Sequence, residues 1–158
     1  MSWDNFFVAE VGASAALLGL LFVAVSINLA KVLQYPQLPG RAAESLGTLV
    51  AVLLVATCGL VPGQSTRAFA IELVSIGALA WLFPIVMQLQ SPRQENARRY
   101  WMINRVVLTQ LSSLPIVVAG ATLLAGSGGG LYWLVPAVGF AYVNAVFGGW
   151  VLLVEINR

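Results

Sequence analysis

The sequence predicts an all-α fold, a polytopic membrane bundle of five transmembrane helices with its N-terminus outside and its C-terminus in the cytoplasm. Three observations carry this prediction. Hydrophobic residues make up 59% of the 158 and charged residues only 9%, against about 45–50% and about 25% in soluble globular proteins. Mean hydropathy is +0.89, so the solvent for most of the chain is lipid. Five apolar runs are each long enough to cross a bilayer, and the cations gather in alternate breaks between them.

In hydrocarbon the backbone has no water to bond, so an apolar run of about 20 residues must be helical. None of the five runs shows the alternation of barrel strands. The first covers roughly 6–30; only Asp4 is charged before it, and the first cation, Lys31, follows it. A cleavable signal peptide would begin with basic residues, so this run reads as an uncleaved helix that exports its N-terminus. The second run, 42–61, lies between the breaks Tyr35-Pro36-Gln37-Leu38-Pro39-Gly40 and Pro62-Gly63-Gln64-Ser65. The third, 68–88, stops before Gln90-Ser91-Pro92, and the fourth, 103–125, stops at the glycine-rich 126–130. The fifth spans 131–154. Each break carries Pro, Gly or Ser, the residues that end helices and make turns. The stretch between the third and fourth runs reads as a further helix start, with Ser91 as N-cap, Pro92 at the first position and Gln94 closing a capping box. No connection is long enough to hold a second domain, so 1–158 reads as a single transmembrane domain.

Orientation follows from the cations. Lys31 and Arg41 in the first connection, Arg93, Arg98, Arg99 and Arg105 around the third, and Arg158 in the tail share one side; Arg67 alone lies on the other. The first group therefore marks the cytoplasmic face. Trp3 and Trp133 at one interface and Trp101 and Trp150 at the other make an aromatic belt that agrees with it. Arg93, Arg98 and Arg99 would meet anionic lipid head groups, each contributing about 1 kcal/mol near such a surface.

Helices associate in lipid through small residues that let backbones approach. The ladder Ala137, Ala141, Ala145, Gly149 marks one packing face of the fifth run. In the first run, Gly12 with Ala16 and Ala15 with Gly19 are small on more than one side, as expected of a helix surrounded by neighbours. Gly47, Ala51 and Gly59 do the same in the second. Pro115 in the fourth run should free a carbonyl near Leu111, which Ser112 and Ser113 can satisfy.

Polar groups inside the runs are the candidates for function. Glu10 and Glu72 each lie about one turn into a run that starts outside, at a similar depth that lets them meet in the bundle, and Arg67, at the start of the third run, can pair with either. These three form a candidate ion or proton site. Glu10, Ser14, Leu17, Leu21, Val25 and Asn28 follow one face of the first run, polar at its ends and apolar between. Ser14 and Asn28, with Gln110, Ser112 and Ser113 of the fourth run, are candidate pore-lining groups. Asn104 and Asn144 read as interhelical hydrogen bonders.

Chemistry is bounded by what the chain lacks. It has no histidine and one cysteine, Cys58, which excludes a Ser-His-Asp triad, an imidazole shuttle, histidine-ligated haem and an internal disulfide. No cofactor or metal motif stands out, and the residues read against an enzyme. A net charge of +2 gives no basis for nucleic-acid binding. The expected partners are the lipid bilayer and either further copies of the chain or a larger membrane complex. The reading is a small integral membrane protein of a bacterial inner membrane, a homo-oligomeric cation or proton channel or transporter. The alternative is an accessory or assembly subunit packed against a larger complex.

Overall fold

The computed structural model describes residues 3–35, 38–90 and 99–153, without the side chains of 88–90, 99–105 and 152. It contains six α-helices and one short 3-10 turn, and no strand among the described residues. Five helices are long and apolar enough to cross a membrane. They are α1 (Asp4–Ile27), α3 (Leu38–Gly59), α4 (Thr66–Gln90), α5 (Arg99–Ala125) and α6 (Leu134–Leu153). The sixth, α2 (Leu29–Gln34), is a short helix that the apolar pattern does not announce.

The first apolar run is thus broken near its end. Asn28 is the reason: its Nδ2 donates to the Ala24 carbonyl at 3.2 Å, so the side chain caps α1 where the backbone leaves helical geometry. After the break, α2 turns one residue, Val32, into the core beside Leu38 and Ala42. It leaves Leu29, Leu33 and Tyr35 exposed. The second crossing also begins earlier than 42, because Pro39 and Gly40 lie in the first turn of α3, where a missing proline N–H costs nothing.

The helices alternate in direction. At one end Phe7 meets Phe69 and the Gly59 backbone, and Trp3 meets Tyr132. At the other, Leu21 lies against Gly149, Ser45 against Gly148 and Phe83 against Gly47. The first is the glycine-rich end, and the second is the end to which sequence assigns seven of the eight cations. The most extensive contact is between α4 and α5; α3 touches α1, α4 and α6, and α6 touches α1, α3 and α5. Helices α3 and α6 therefore form the middle of the bundle, with the α4–α5 pair on one side and α1 on the other. Half of the most apolar stretch of α3 is buried, against 17% for α1. The expectation of a first helix surrounded by neighbours does not hold within this chain; α3 has that place.

Small residues set the closest approaches. A Cβ on Gly77 would stand 2.9 Å from the Val117 amide nitrogen, and one on Gly120 would stand 2.8 Å from the Ala70 carbonyl oxygen. Helices α4 and α5 thus touch backbone to backbone. Ala137, Ala141 and Ala145 of α6 are buried, and Gly149 receives the Leu21 side chain. Helix α5 ends in a Schellman motif: Gly126, at φ 67°, donates to the Leu123 carbonyl, and Ser127 donates to that of Thr122. The chain then turns through Gly128 and Gly129 into the 3-10 turn Gly130–Trp133, fixed by the Trp133 indole N–H donating to the Gly128 carbonyl at 2.8 Å.

Candidate functional site

Polar groups within the crossings form three sets. The first joins α1 to α6. Glu10, half-buried on α1, accepts a hydrogen bond from the Tyr142 hydroxyl, and the Ser14 hydroxyl below it donates to the Glu10 carbonyl at 2.5 Å. Ser14 is fully buried. The face Glu10, Ser14, Leu17, Leu21 therefore packs into the chain's own bundle, against α3 and α6. Tyr142 was not singled out on sequence, although a phenol inside a crossing must find a polar partner.

The second set closes the α3–α4 turn. Gln64 Nε2 donates to Glu72 Oε2 at 2.6 Å, and the Cys58 thiol faces the same carboxylate. Ser65 caps α4, its hydroxyl accepting from the Ala68 amide at 3.2 Å. Glu10 and Glu72 thus engage different partners on different helices, and Arg67 is exposed at the start of α4. Among the described residues no hydrogen bond or ion pair joins the three.

The third set lies toward the cation-rich end and the middle. Glu44, Ser45 and Thr48 of α3 are buried, with the Thr48 hydroxyl donating to the Glu44 carbonyl at 2.8 Å. Glu44 is 3% exposed, the most enclosed carboxylate among the described residues. It falls two residues inside the 42–61 run, where its nearness to the edge reads as interfacial. A stronger signal was available in the i, i+4 pair Glu44 and Thr48 on a helix whose other faces are apolar. On α5, Thr109, Ser112 and Ser113 are buried. Ser112 and Ser113 both donate to the Thr109 carbonyl, at 2.9 and 2.8 Å, instead of to that of Leu111.

Ser113 has a second acceptor on the neighbouring helix, the Ala80 carbonyl at 3.3 Å. That carbonyl lies four residues before Pro84, whose ring nitrogen has no hydrogen to offer it. A serine on α5 thus reaches the carbonyl that a proline on α4 leaves open. One residue on, the Trp81 indole N–H donates to the Gln110 side-chain oxygen. The polar stretch 109–113 joins α5 to α4 and to its own backbone. Asn28, the remaining lining candidate, is the cap of α1 described above.

Among the described residues no group of three or more His, Cys, Asp or Glu could hold a metal ion, and no buried side-chain N or O lacks a hydrogen-bond partner. Arg93 and Arg98, the capped helix start at Ser91, and the side chains of Arg99, Trp101, Asn104 and Arg105 lie outside the described residues. The packing candidates divide: Ala137, Ala141, Ala145 and Gly149 face neighbours, whereas Gly12 and Ala16 are exposed. No atom of another element stands within 4 Å of where a Cβ on Gly12 or Gly19 would lie.

The chain matches no protein-family model, no curated protein and no solved structure.

Proposed function

We propose that this multi-pass membrane protein acts as an accessory or assembly component of a larger membrane complex, docking a further transmembrane helix on the outward face of α1. The observation that carries this reading is where the small residues lie. On α1 the bundle takes Phe7, Ser14, Leu21 and Ala24. Opposite them Gly12, Ala15, Ala16 and Gly19 form an open strip. Elsewhere the same helix meets lipid with Leu20, Phe22, Val23 and Ile27, the large residues such a surface ordinarily carries. A glycine and alanine strip gives lipid little contact and gives a helix backbone much, which is why such strips mark helix–helix seams. The orientation that suits the cations keeps the N-terminus outside, and the short connections suit a bacterial inner membrane.

A homo-oligomeric cation or proton channel or transporter is the second reading. It is favoured by two carboxylates enclosed at different depths, Glu10 with Tyr142 and Glu44 nearer the cation-rich end. Buried Leu49 and Val52 lie on α3 beyond the Glu44–Thr48 turn.

Flux through proteoliposomes containing only the purified chain separates the two. The accessory reading predicts proton and potassium leaks equal to those of protein-free vesicles. A sustained flux abolished by Glu10→Gln or Glu44→Gln would overturn it in favour of the second.

A further inference from the structure

We infer that Asn144 of α6 pairs with Asn144 of a second copy, so that the chain forms a parallel two-fold dimer through this face of α6. Sequence marks Asn144 as an interhelical hydrogen bonder. Within the bundle Glu10 bonds Tyr142 and Trp81 bonds Gln110, but among the described residues the Asn144 carboxamide neither donates nor accepts a hydrogen bond. It lies midway along α6, about 15 Å from Leu134 and about 14 Å from Leu153 at 1.5 Å per residue. A side chain this short reaches neither head groups nor water from that depth, and hydrocarbon offers it no partner. Nor is the carboxamide sealed in. Asn144 is partly exposed, and no fully buried side-chain nitrogen or oxygen among the described residues lacks a partner. Its unbonded atoms therefore open onto the outside of the bundle, where the hydrogen-bonding group must come from a neighbouring molecule.

The geometry of α6 selects the partner. Tyr142 and Gly149 face α1, and at 3.6 residues per turn Asn144 points about 140–160° away from them. The pairing face is thus separate from the small-residue strip on α1 and leaves that strip free. Phe140 and Phe147 stand one turn before and one turn after Asn144, and Phe147 is 57% exposed. The three follow the 4–3 spacing of a left-handed helix pair, in which one polar seam residue fixes register and the number of strands. A carboxamide both donates and accepts, so two of them make reciprocal hydrogen bonds. The one-sided cations set a single insertion direction for every copy. A two-fold axis along the membrane normal then brings Asn144 to Asn144 at one depth, with the phenyl rings shielding the pair from lipid. Any other partner needs a polar group of its own at that depth, which a second copy has already.

The test combines energy transfer between labelled copies of the full chain in liposomes with oxidative crosslinking. Asn144→Leu, similar in size and without a hydrogen-bonding group, is expected to weaken association about tenfold, and Asn144→Gln to keep most of it. In a Cys58→Ser background, Phe147→Cys is expected to give a disulfide-linked dimer on oxidation. Val146→Cys is a control of similar exposure, 61%, that points about 100° away round the helix and is expected to give none. In dilute micelles, where both chains are monomeric, Asn144→Leu is expected to unfold no earlier than the wild type, because no internal bond is lost. A wild type that stays monomeric at every protein-to-lipid ratio would overturn the inference, as would equal association of the wild type and Asn144→Leu. Earlier unfolding of Asn144→Leu in micelles would also overturn it, since the carboxamide would then be engaged within the chain. So would a crosslink from position 147 in native membranes that captures a different protein in place of the copy.

Discussion

Gly77 and Gly120 let α4 and α5 approach until backbone meets backbone, and neither position has room for one more carbon. Gly120→Ala must push the helices apart against the Ala70 carbonyl, and overpacking of this kind costs about 1–3 kcal/mol. Gly12→Ala, made where the chain leaves open space, should change the stability of the isolated protein by less than about 0.5 kcal/mol. Reversible unfolding in mixed micelles measures both, and equal effects would contradict the packing described. At the same scale, Ser113 is bound to the consequence of Pro84. Ser113→Ala removes a donor from the Ala80 carbonyl and should cost about 0.6 kcal/mol, the average for an interhelical hydrogen bond in lipid. In a Pro84→Ala background the new amide takes over that carbonyl, so the same change should cost less. A double-mutant cycle with no coupling between the two sites would refute the assignment. None of this was visible in sequence. The serines are conspicuous beside Pro115, and local reasoning gives Ser113 the wrong proline; only the juxtaposition of α4 and α5 supplies the right one.

Among the elements, α2 and the α5–α6 connection are where local chemistry decides the path. Asn28 ends α1 by bonding its side chain to Ala24, and the chain resumes as α2 with Val32 tucked under α3. Hydropathy alone runs straight through to Ala30, because it weighs how apolar a residue is and not which carbonyl its amide can reach. Asn28→Leu should therefore extend α1 and release Val32. Alkylation of a cysteine placed at position 32 would report this as a faster reaction in the Asn28→Leu background, and an unchanged rate would contradict it. By contrast, the glycine-rich connection was legible, since Gly126 at φ 67° sits where a left-handed residue ends a helix. Gly126→Ala should cost about 1–2 kcal/mol from the left-handed conformation alone. The five crossings were legible too, as was the α6 ladder, because helical length and small-residue spacing are local properties.

For the whole molecule, the distribution of burial carries the argument. Helix α3 is the most enclosed, α6 packs between it and α5, α4 and α5 lock to each other, and α1 leans on α3 and α6 with Gly12, Ala16 and Gly19 facing away. Sequence spacing found Gly12 and Ala16 but could not say which side of α1 its own bundle would claim. Glu10 shows the same limit. Its depth could be counted from the start of the helix, whereas its partner, Tyr142, is 132 residues away. The claim that follows, that α1 presents a seam to another helix, is tested most directly by photo-crosslinking in native membranes. A photoreactive residue is placed in turn at positions 12, 16 and 19, with Leu82 and Leu54 as exposed controls on α4 and α3. The account predicts one discrete protein adduct, common to the three α1 positions, and lipid adducts alone at the controls. Lipid adducts alone at all five positions would contradict it.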